Sequence, residues 1–227
     1  MQVLAIETSG TTGSLAALKG ADILARVDLD PTQRLARSLA PGIRDLLADI
    51  GWRPADVGLV AVAIGPGSFT GLRLGVMTAK AFAYGAVTAI SGVDTLTTIA
   101  AQAPAEALRV AVAIDAQRGD LYCAKFERDE TGAPLRQVTS IGIAPAEKWL
   151  SDLEAGTVLT GPALAKLVCP VPAACVVSPR DVWFPDAATV GRLAFACYSA
   201  GERDDVWQLA PLYLRRSAAE EKRDAKK

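Results

Sequence analysis

The residues of this chain best suited to hold an anion lie in a glycine-rich turn. Residues 65–75 read GPGSFTGLRLG and follow an apolar, β-branched run at residues 57–64 that predicts one buried strand. A helix that starts after the turn presents unpaired backbone N–H groups at its positive end, where a phosphate or carboxylate can bind. Gly65, Gly67 and Ser68 are therefore candidate anion ligands. The alternative is that the two glycines serve only the tight turn.

The helix after the turn is predicted to run from Ser68 or Thr70 to about Tyr84. Either hydroxyl can act as the N-cap, and Gly85 stands where a helix commonly ends. The turn has no Lys-Ser/Thr pair after its last glycine, so it is not a Walker A loop, and it lacks the GxGxxG order. Arg73 could supply a cation to a phosphate or to a partner carboxylate, or could simply be solvated or ion-paired.

Polar side chains also follow two of the predicted strands. Glu7, Thr8, Ser9 and Thr12 come at and after the end of the first strand and could line a phosphate site. Asp115 ends a strand in the second half and could be the carboxylate that organises Mg²⁺. The alternative is a polar hairpin whose hydroxyls satisfy their own backbone, with a strand-end carboxylate that is satisfied locally.

Several common chemistries are excluded by what the chain lacks. There is no histidine, which removes imidazole acid–base catalysis, Ser-His and Cys-His nucleophile pairs and His-ligated metals. The cysteines at positions 123, 169, 175 and 197 do not have the spacing of a zinc knuckle. We therefore expect no structural metal, and the cysteines are predicted to be buried thiols.

Length and charge narrow the class of protein further. The 227 residues suffice for one large domain or two small lobes with a real core. A net charge of −1 provides no excess of positive charge to bind nucleic acid, so an RNA partner would be held mostly by another subunit. The N-terminus shows no signal-peptide pattern, and no apolar run is long enough to span a bilayer.

The order of apolar segments predicts an α/β fold in two lobes. Short spacings near the N-terminus predict three antiparallel strands, followed by a helix at residues 35–50, the 57–64 strand and the helix after the glycine turn. A strand at residues 87–90 and a helix capped by Asp94 complete the order βββαβαβα. Residues 102–105 look like a hinge, after which a strand, a polar turn and a second strand recur.

The two halves define the predicted domains. An N-terminal lobe is expected at residues 1–104, a C-terminal lobe at 105–217 with a last helix at 188–200, and a charged, frayed tail at 218–227. Two lobes that each open on strand–turn–strand are typical of the actin, sugar-kinase and Hsp70 ATPase class (ASKHA), in which mixed sheets are flanked by helices.

Four segments together resemble a known family. AIETS at residues 5–9, GPGSFTGLRLG at 65–75, AIDAQRG at 113–119 and PLYLR at 211–215 stand in the order and at the distances typical of the bacterial TsaB (YeaZ) family of tRNA threonylcarbamoyladenosine biosynthesis proteins. The chain departs from that pattern where Glu7 replaces an aspartate found in many members. It departs again where Leu35, Ala36 and Arg37 replace a His-Ser-Glu sequence.

The resemblance implies an ASKHA-type fold and a supporting, non-catalytic role in attaching a threonylcarbamoyl group to the adenosine beside the tRNA anticodon. The catalytic subunit would be the paralogue TsaD, which carries two metal-binding histidines, and an ATPase of the TsaE type would join them. It further implies a cytoplasmic protein that forms a homodimer when alone and contacts tRNA through the complex. The chain would need no cofactor itself, although ATP or ADP could bind at a partner interface.

The resemblance also favours a subunit interface on the first two helices. Gly71, Gly75, Ala79 and Ala83 recur every four residues and form a stripe that another helix can approach closely. Internal packing is the alternative explanation for the stripe. The residues predicted to form the interface are Leu39, Ile43, Leu46, Leu72, Arg73, Gly75, Val76, Ala79 and Ala83.

The sequence is therefore compatible with two alternative functions. One is a non-catalytic partner of a tRNA-modifying enzyme. The other is a free-standing ASKHA-fold phosphotransferase or ATPase, which predicts turnover of ATP by the isolated chain.

Overall fold

The first lobe is built on a five-stranded sheet. The computed structural model describes residues 1–215, and its first sheet contains β1 (Gln2–Glu7), β2 (Ser14–Lys19), β3 (Asp22–Asp28), β4 (Leu59–Gly65) and β5 (Ala89–Asp94) in the order β3-β2-β1-β4-β5. The first three strands are antiparallel, whereas β1, β4 and β5 are parallel. The carboxyl ends of these parallel strands therefore meet at one edge, which brings the turns after Glu7, Gly65 and Asp94 together.

Helices cover both faces of this sheet. On one face, α1 (Leu35–Asp49) and α2 (Phe69–Ala86) pack beside each other over apolar side chains of β1, β2 and β4. On the other face, α5 (Ala187–Ser199) packs through its alanines and Val190 against the alternate side chains of the same strands. Both sides of the central strands are therefore buried, which explains their nearly continuous apolar sequence.

The second lobe contains a smaller mixed sheet. Its strands are β6 (Arg109–Asp115), β7 (Asp120–Glu127), β8 (Arg136–Gln137), β9 (Gly142–Pro145), β10 (Val158–Thr160) and β11 (Val176–Val177). The order is β11-β10-β6-β7-β8, and β9 also pairs with β7. The helix α3 (Thr95–Ala101) lies on one face, and α4 (Ala146–Ser151) lies on the other.

The predicted element order βββαβαβα is confirmed, and so are the two sheets flanked by helices. Ser68 is the N-cap of α2, where its hydroxyl accepts a hydrogen bond from the N–H of Gly71 at 3.3 Å. The prediction that α2 ends at Gly85 is wrong. The helix continues to Ala86, and Val87 takes the left-handed conformation that ends it, with φ of 53°.

The structure corrects the predicted division at residue 104. That position does separate the two sheets, but α5 returns from the second half and packs on the first sheet. The reason is that the face of β1, β2 and β4 opposite α1 and α2 is apolar and needs a cover. The predicted tail at 218–227 lies outside the described residues. Within residues 1–215 no helix combines the length and the apolar character needed to cross a membrane.

Candidate functional site

A cleft of about 1030 Å³ separates the two lobes. Its first-lobe wall comes from the turns that follow β1 and β4 and from the start of α2. The opposite wall comes from the hairpin between β6 and β7 and from Lys166, and the chain segment at residues 212–215 borders both. Because the parallel strands of both sheets end toward this space, the cleft is where the fold can place a ligand.

The structure brings some of the predicted first-lobe residues to the cleft and not others. Ser9, Gly67 and Ser68 line it. Glu7, Thr8 and Gly65 are buried and lie outside its wall. Thr12 is exposed at the β1–β2 hairpin and does not line the cleft either.

The carboxyl group of Glu7 is hydrogen-bonded within the first lobe. Its Oε1 accepts hydrogen bonds from the Ser9 hydroxyl and from the Ser9 N–H, the latter at 2.6 Å. Burial raises the pKa of the Glu7 carboxyl to about 7, because desolvation outweighs the lowering effect of the Ser9 hydrogen bonds, and the nearby charge of Asp186 raises it further. A carboxyl that is half protonated near neutral pH and outside the cleft wall is poorly suited to bind Mg²⁺.

The position of Thr8 explains why residues 71 and 75 are glycines. Its hydroxyl donates to the carbonyl oxygen of Gly71 at 2.9 Å. A Cβ at Gly71 would overlap the Thr8 carbonyl oxygen, and a Cβ at Gly75 would overlap the Thr8 hydroxyl. The start of α2 therefore rests directly on the turn after β1, and only glycine permits this approach.

Asp115 reaches the cleft from the second lobe. Its Oδ2 pairs with the Lys166 ammonium at 3.0 Å, and its Oδ1 accepts from the N–H of Gln117 at 2.7 Å. The pKa of Asp115 is lowered, chiefly by the hydrogen bond with Lys166. After it, Gln117 and Arg118 both have positive φ, of 65° and 59°, so the hairpin tip is strained.

The segment at residues 204–215 ties the lobes together. It starts at the edge of the first sheet, where the Asp204 carboxylate accepts from the N–H of Gly92 at 2.8 Å. It ends at Arg215, which pairs with Asp120 at 2.6 Å and donates to the carbonyl oxygen of Ala116 at 2.6 Å. The sequence predicts no contact for PLYLR at residues 211–215. The signal that could have indicated one is Arg215, which follows an apolar and aromatic run at residues 212–214 that belongs to no predicted helix or strand.

Arg73 is engaged by this segment. Its guanidinium lies 4.0 Å from the centre of the Phe69 ring, and its Nε donates to the Tyr213 hydroxyl at 2.9 Å. The rings of Phe69 and Tyr213 are themselves in contact, with centroids 5.0 Å apart and planes tilted by 35°. Arg73 is therefore part of the packing between α2 and the segment at residues 204–215.

The predicted interface residues are, apart from Arg73, buried within the chain. Leu39, Ile43 and Leu46 face the first sheet from α1. Val76, Ala79 and Ala83 of α2 belong to the same core, and Leu72 and Gly75 are also buried. This corrects the prediction that these side chains face a partner. The physical reason is that the stripe allows α2 to approach the chain's own β1 turn.

The opposite side of α2 is exposed. Met77 is 63% and Tyr84 is 67% exposed, and Val87 lies just beyond the helix. Trp207 from the terminal segment, 71% exposed, packs edge-on against Tyr84 with ring centroids 5.5 Å apart. We call Met77, Tyr84, Val87 and Trp207 the outer face of α2.

No group of three cysteine, aspartate or glutamate side chains is close enough to hold a metal ion within residues 1–215.

The two lobes, the strand–turn–strand at the start of each and the cleft between them define a protein of the ASKHA class.

Residues 30–150 match the family described as TsaD, tRNA N6-adenosine threonylcarbamoyltransferase. The chain is 31% identical to the tRNA threonylcarbamoyladenosine biosynthesis protein TsaB of Escherichia coli (strain K12), covering 96% of both proteins. It is 28% identical to TsaB of Haemophilus influenzae over 95% of this chain and 94% of that one. The solved structure of YeaZ from Pseudomonas aeruginosa, 27% identical, superposes with a TM-score of 0.78 over 94% of this chain and 99% of that one. The chain belongs to the TsaB family.

Proposed function

We propose that this chain is a partner subunit that supports a TsaD-type enzyme in forming threonylcarbamoyladenosine on tRNA. The observation that carries the proposal is the similarity over nearly the whole chain to TsaB proteins named for this biosynthesis. The chain has no histidine, so imidazole ligands for a catalytic metal would have to come from another subunit. The buried, raised-pKa carboxyl of Glu7 also argues against metal-dependent chemistry at this chain's own first turn.

The outer face of α2 is the surface we assign to the TsaD-type partner. It combines an exposed tryptophan, a tyrosine and a methionine, residue types that are enriched at interfaces and that supply much of their binding energy. The TsaD family match spans residues 30–150 and so includes both α1 and α2. The match supports the proposal that a TsaD-type partner has an equivalent helix pair, through which the two chains would associate about a pseudo-two-fold axis.

The same surface is proposed for a homodimer of the isolated chain, so that the homodimer and the complex with the enzyme exclude each other. A TsaE-type ATPase joins the complex, and tRNA is held mainly by the other subunits, because the net charge of −1 allows little counterion release. We propose a cytoplasmic location. ATP or ADP required by the reaction would bind where a partner completes the site.

The test is reconstitution with purified subunits. A TsaD-type subunit and a TsaE-type ATPase are incubated with unmodified tRNA and the threonylcarbamoyl donor, with and without this chain, and the modified nucleoside is measured by mass spectrometry. We expect product only when the chain is present, and negligible ATP turnover by the chain alone. Product formation that does not depend on the chain would contradict the proposal. Robust turnover by the isolated chain would favour the free-standing phosphotransferase or ATPase.

A further inference from the structure

The helices α1 and α2 end with the same backbone geometry but with different residue types. Each is followed by a residue in the left-handed conformation, Gly51 with φ of 71° after α1 and Val87 with φ of 53° after α2. In both cases the next residue donates its N–H to the carbonyl oxygen five residues earlier, at 2.8 Å after Gly51 and at 3.0 Å after Val87. Glycine is the residue that this position favours. The end of α1 therefore follows the common pattern, and the end of α2 departs from it.

Valine is an unfavourable choice for this position. Its branched Cβ crowds the backbone at positive φ, which glycine avoids. The Val87 side chain is 93% exposed, so almost no packing within the chain offsets that cost. Gly85 weakens the same helix end, because a glycine inside a helix lowers its stability, although a Cβ there would meet no atom within 4 Å. A residue kept in such a conformation without a contact in its own chain points to a role outside the chain.

Val87 continues the outer face of α2. Tyr84 precedes it by three residues and Met77 precedes Tyr84 by seven, which are spacings that place side chains on one side of a helix. Both are largely exposed, and Trp207 packs against Tyr84 from the segment at residues 204–215. Val87 therefore lies at one end of an exposed apolar row.

The charged side chains of α2 are engaged within the chain. The helix has no acidic residue and two cations. Lys80 donates to the carbonyl oxygens of Trp207 and Leu209, each at 3.0 Å, and Arg73 donates to the Tyr213 hydroxyl at 2.9 Å. A row of this kind has little to offer the phosphates of tRNA or a charged peptide, and it fits the apolar surface of another folded subunit.

We propose that Val87 is an anchor residue for the TsaD-type partner, and that its side chain enters an apolar pocket of that subunit. Burial of the valine in the complex offsets the unfavourable left-handed conformation, which the isolated chain carries without compensation. The inference rests on the proposed function, which assigns the outer face of α2 to this partner. It adds a distinct expectation, that replacing Val87 with glycine stabilises the isolated chain and weakens the complex.

The first measurement is the melting temperature of three variants without a partner. Glycine adopts the left-handed conformation without steric cost, so Val87→Gly should melt at least about 2 °C above wild type. Gly51→Val is the matched reverse change, at a position where an added Cβ meets no atom within 4 Å, and it should melt lower than wild type by a similar amount. Val87→Thr keeps the branched shape and should melt as wild type does.

The second measurement is calorimetric titration of the same full-length chains with a purified TsaD-type subunit. Val87→Gly should bind at least about fivefold more weakly than wild type, because it no longer buries the valine methyl groups. Val87→Thr should also bind more weakly, because it places a hydroxyl in an apolar pocket. A valine that is strained for no purpose would change the melting temperature alone.

The inference is overturned if Val87→Gly binds as tightly as wild type, or if it melts below wild type. It is equally overturned if Gly51→Val melts as high as wild type, since a valine in this conformation would then carry no cost. A wild-type chain that does not bind the subunit at all contradicts the proposed function, and the inference with it. Equal affinity of wild type and Val87→Gly overturns the inference alone.

Discussion

Both faces of α2 carry apolar residues, but the inner face is buried within the chain and the outer face is exposed to solvent. The inner face carries a stripe of glycines and alanines beside Leu72 and Val76, and it meets the turn after β1 so closely that Gly71 and Gly75 leave no room for a Cβ beside Thr8. The outer face carries Met77 and Tyr84, both largely exposed. The difference teaches that a stripe of small residues marks close approach of backbone to backbone, and that exposed large side chains are the better sign of a partner.

The largest effect is expected from filling the inner face. Gly71→Ala places a methyl group against the Thr8 carbonyl oxygen, which is backbone and cannot turn away, so we expect a loss of about 3 kcal/mol or more in the free energy of unfolding. Gly75→Ala meets the Thr8 hydroxyl instead. We expect a loss of about 1–3 kcal/mol there.

Thr8→Ala distinguishes the two sites. In the Gly75→Ala background it removes the overlapping hydroxyl and should recover part of the lost stability, whereas in the Gly71→Ala background it should recover none. Urea unfolding of the four variants measures this. Wild-type stability in Gly71→Ala would show that the inner face is not packed as described.

The next effect concerns Glu7, which follows Val3 and Ala5 on the face of β1 that α5 covers and lies near the charge of Asp186. Its pKa is about 7 in the folded chain against 4.5 for a free carboxyl, so the folded state binds the proton more tightly. The free energy of unfolding should therefore fall as pH rises from 4.5 to about 7, with the loss complete above that range and amounting to roughly 3 kcal/mol.

Glu7→Gln removes this titration while keeping an acceptor for Ser9. The wild-type chain should lose stability relative to Glu7→Gln between pH 5 and pH 8, as measured by denaturant unfolding at the two pH values. Parallel pH dependence in the two proteins would mean that Glu7 is ionised at no unusual cost, and that the surroundings of its carboxyl group are wetter than the structure shows.

Most of the fold could be predicted from the sequence, because strand and helix periods and the cap residues Ser68 and Asp94 act locally. The path of α5 onto the first sheet could not, since its apolar stripe fits either lobe until the uncovered face of β1 is known. The site was predicted less well. The sequence shows that Thr8 and Ser9 have hydroxyls, but only the structure shows that both are bonded within the chain.

The assignment of the outer face to the partner is tested most directly by one binding measurement. Tyr84→Gln replaces an exposed aromatic residue with a polar helix former, and because the edge-on contact with Trp207 is lost, its stability should fall by no more than about 1 kcal/mol. Val168→Gln is the matched control, because Val168 is 97% exposed in the second lobe. Calorimetric titration with a TsaD-type subunit should show at least a tenfold loss of affinity for Tyr84→Gln, as truncating an interface hot spot does, and none for Val168→Gln. Equal affinity of wild type and Tyr84→Gln, with both folded, would contradict the account.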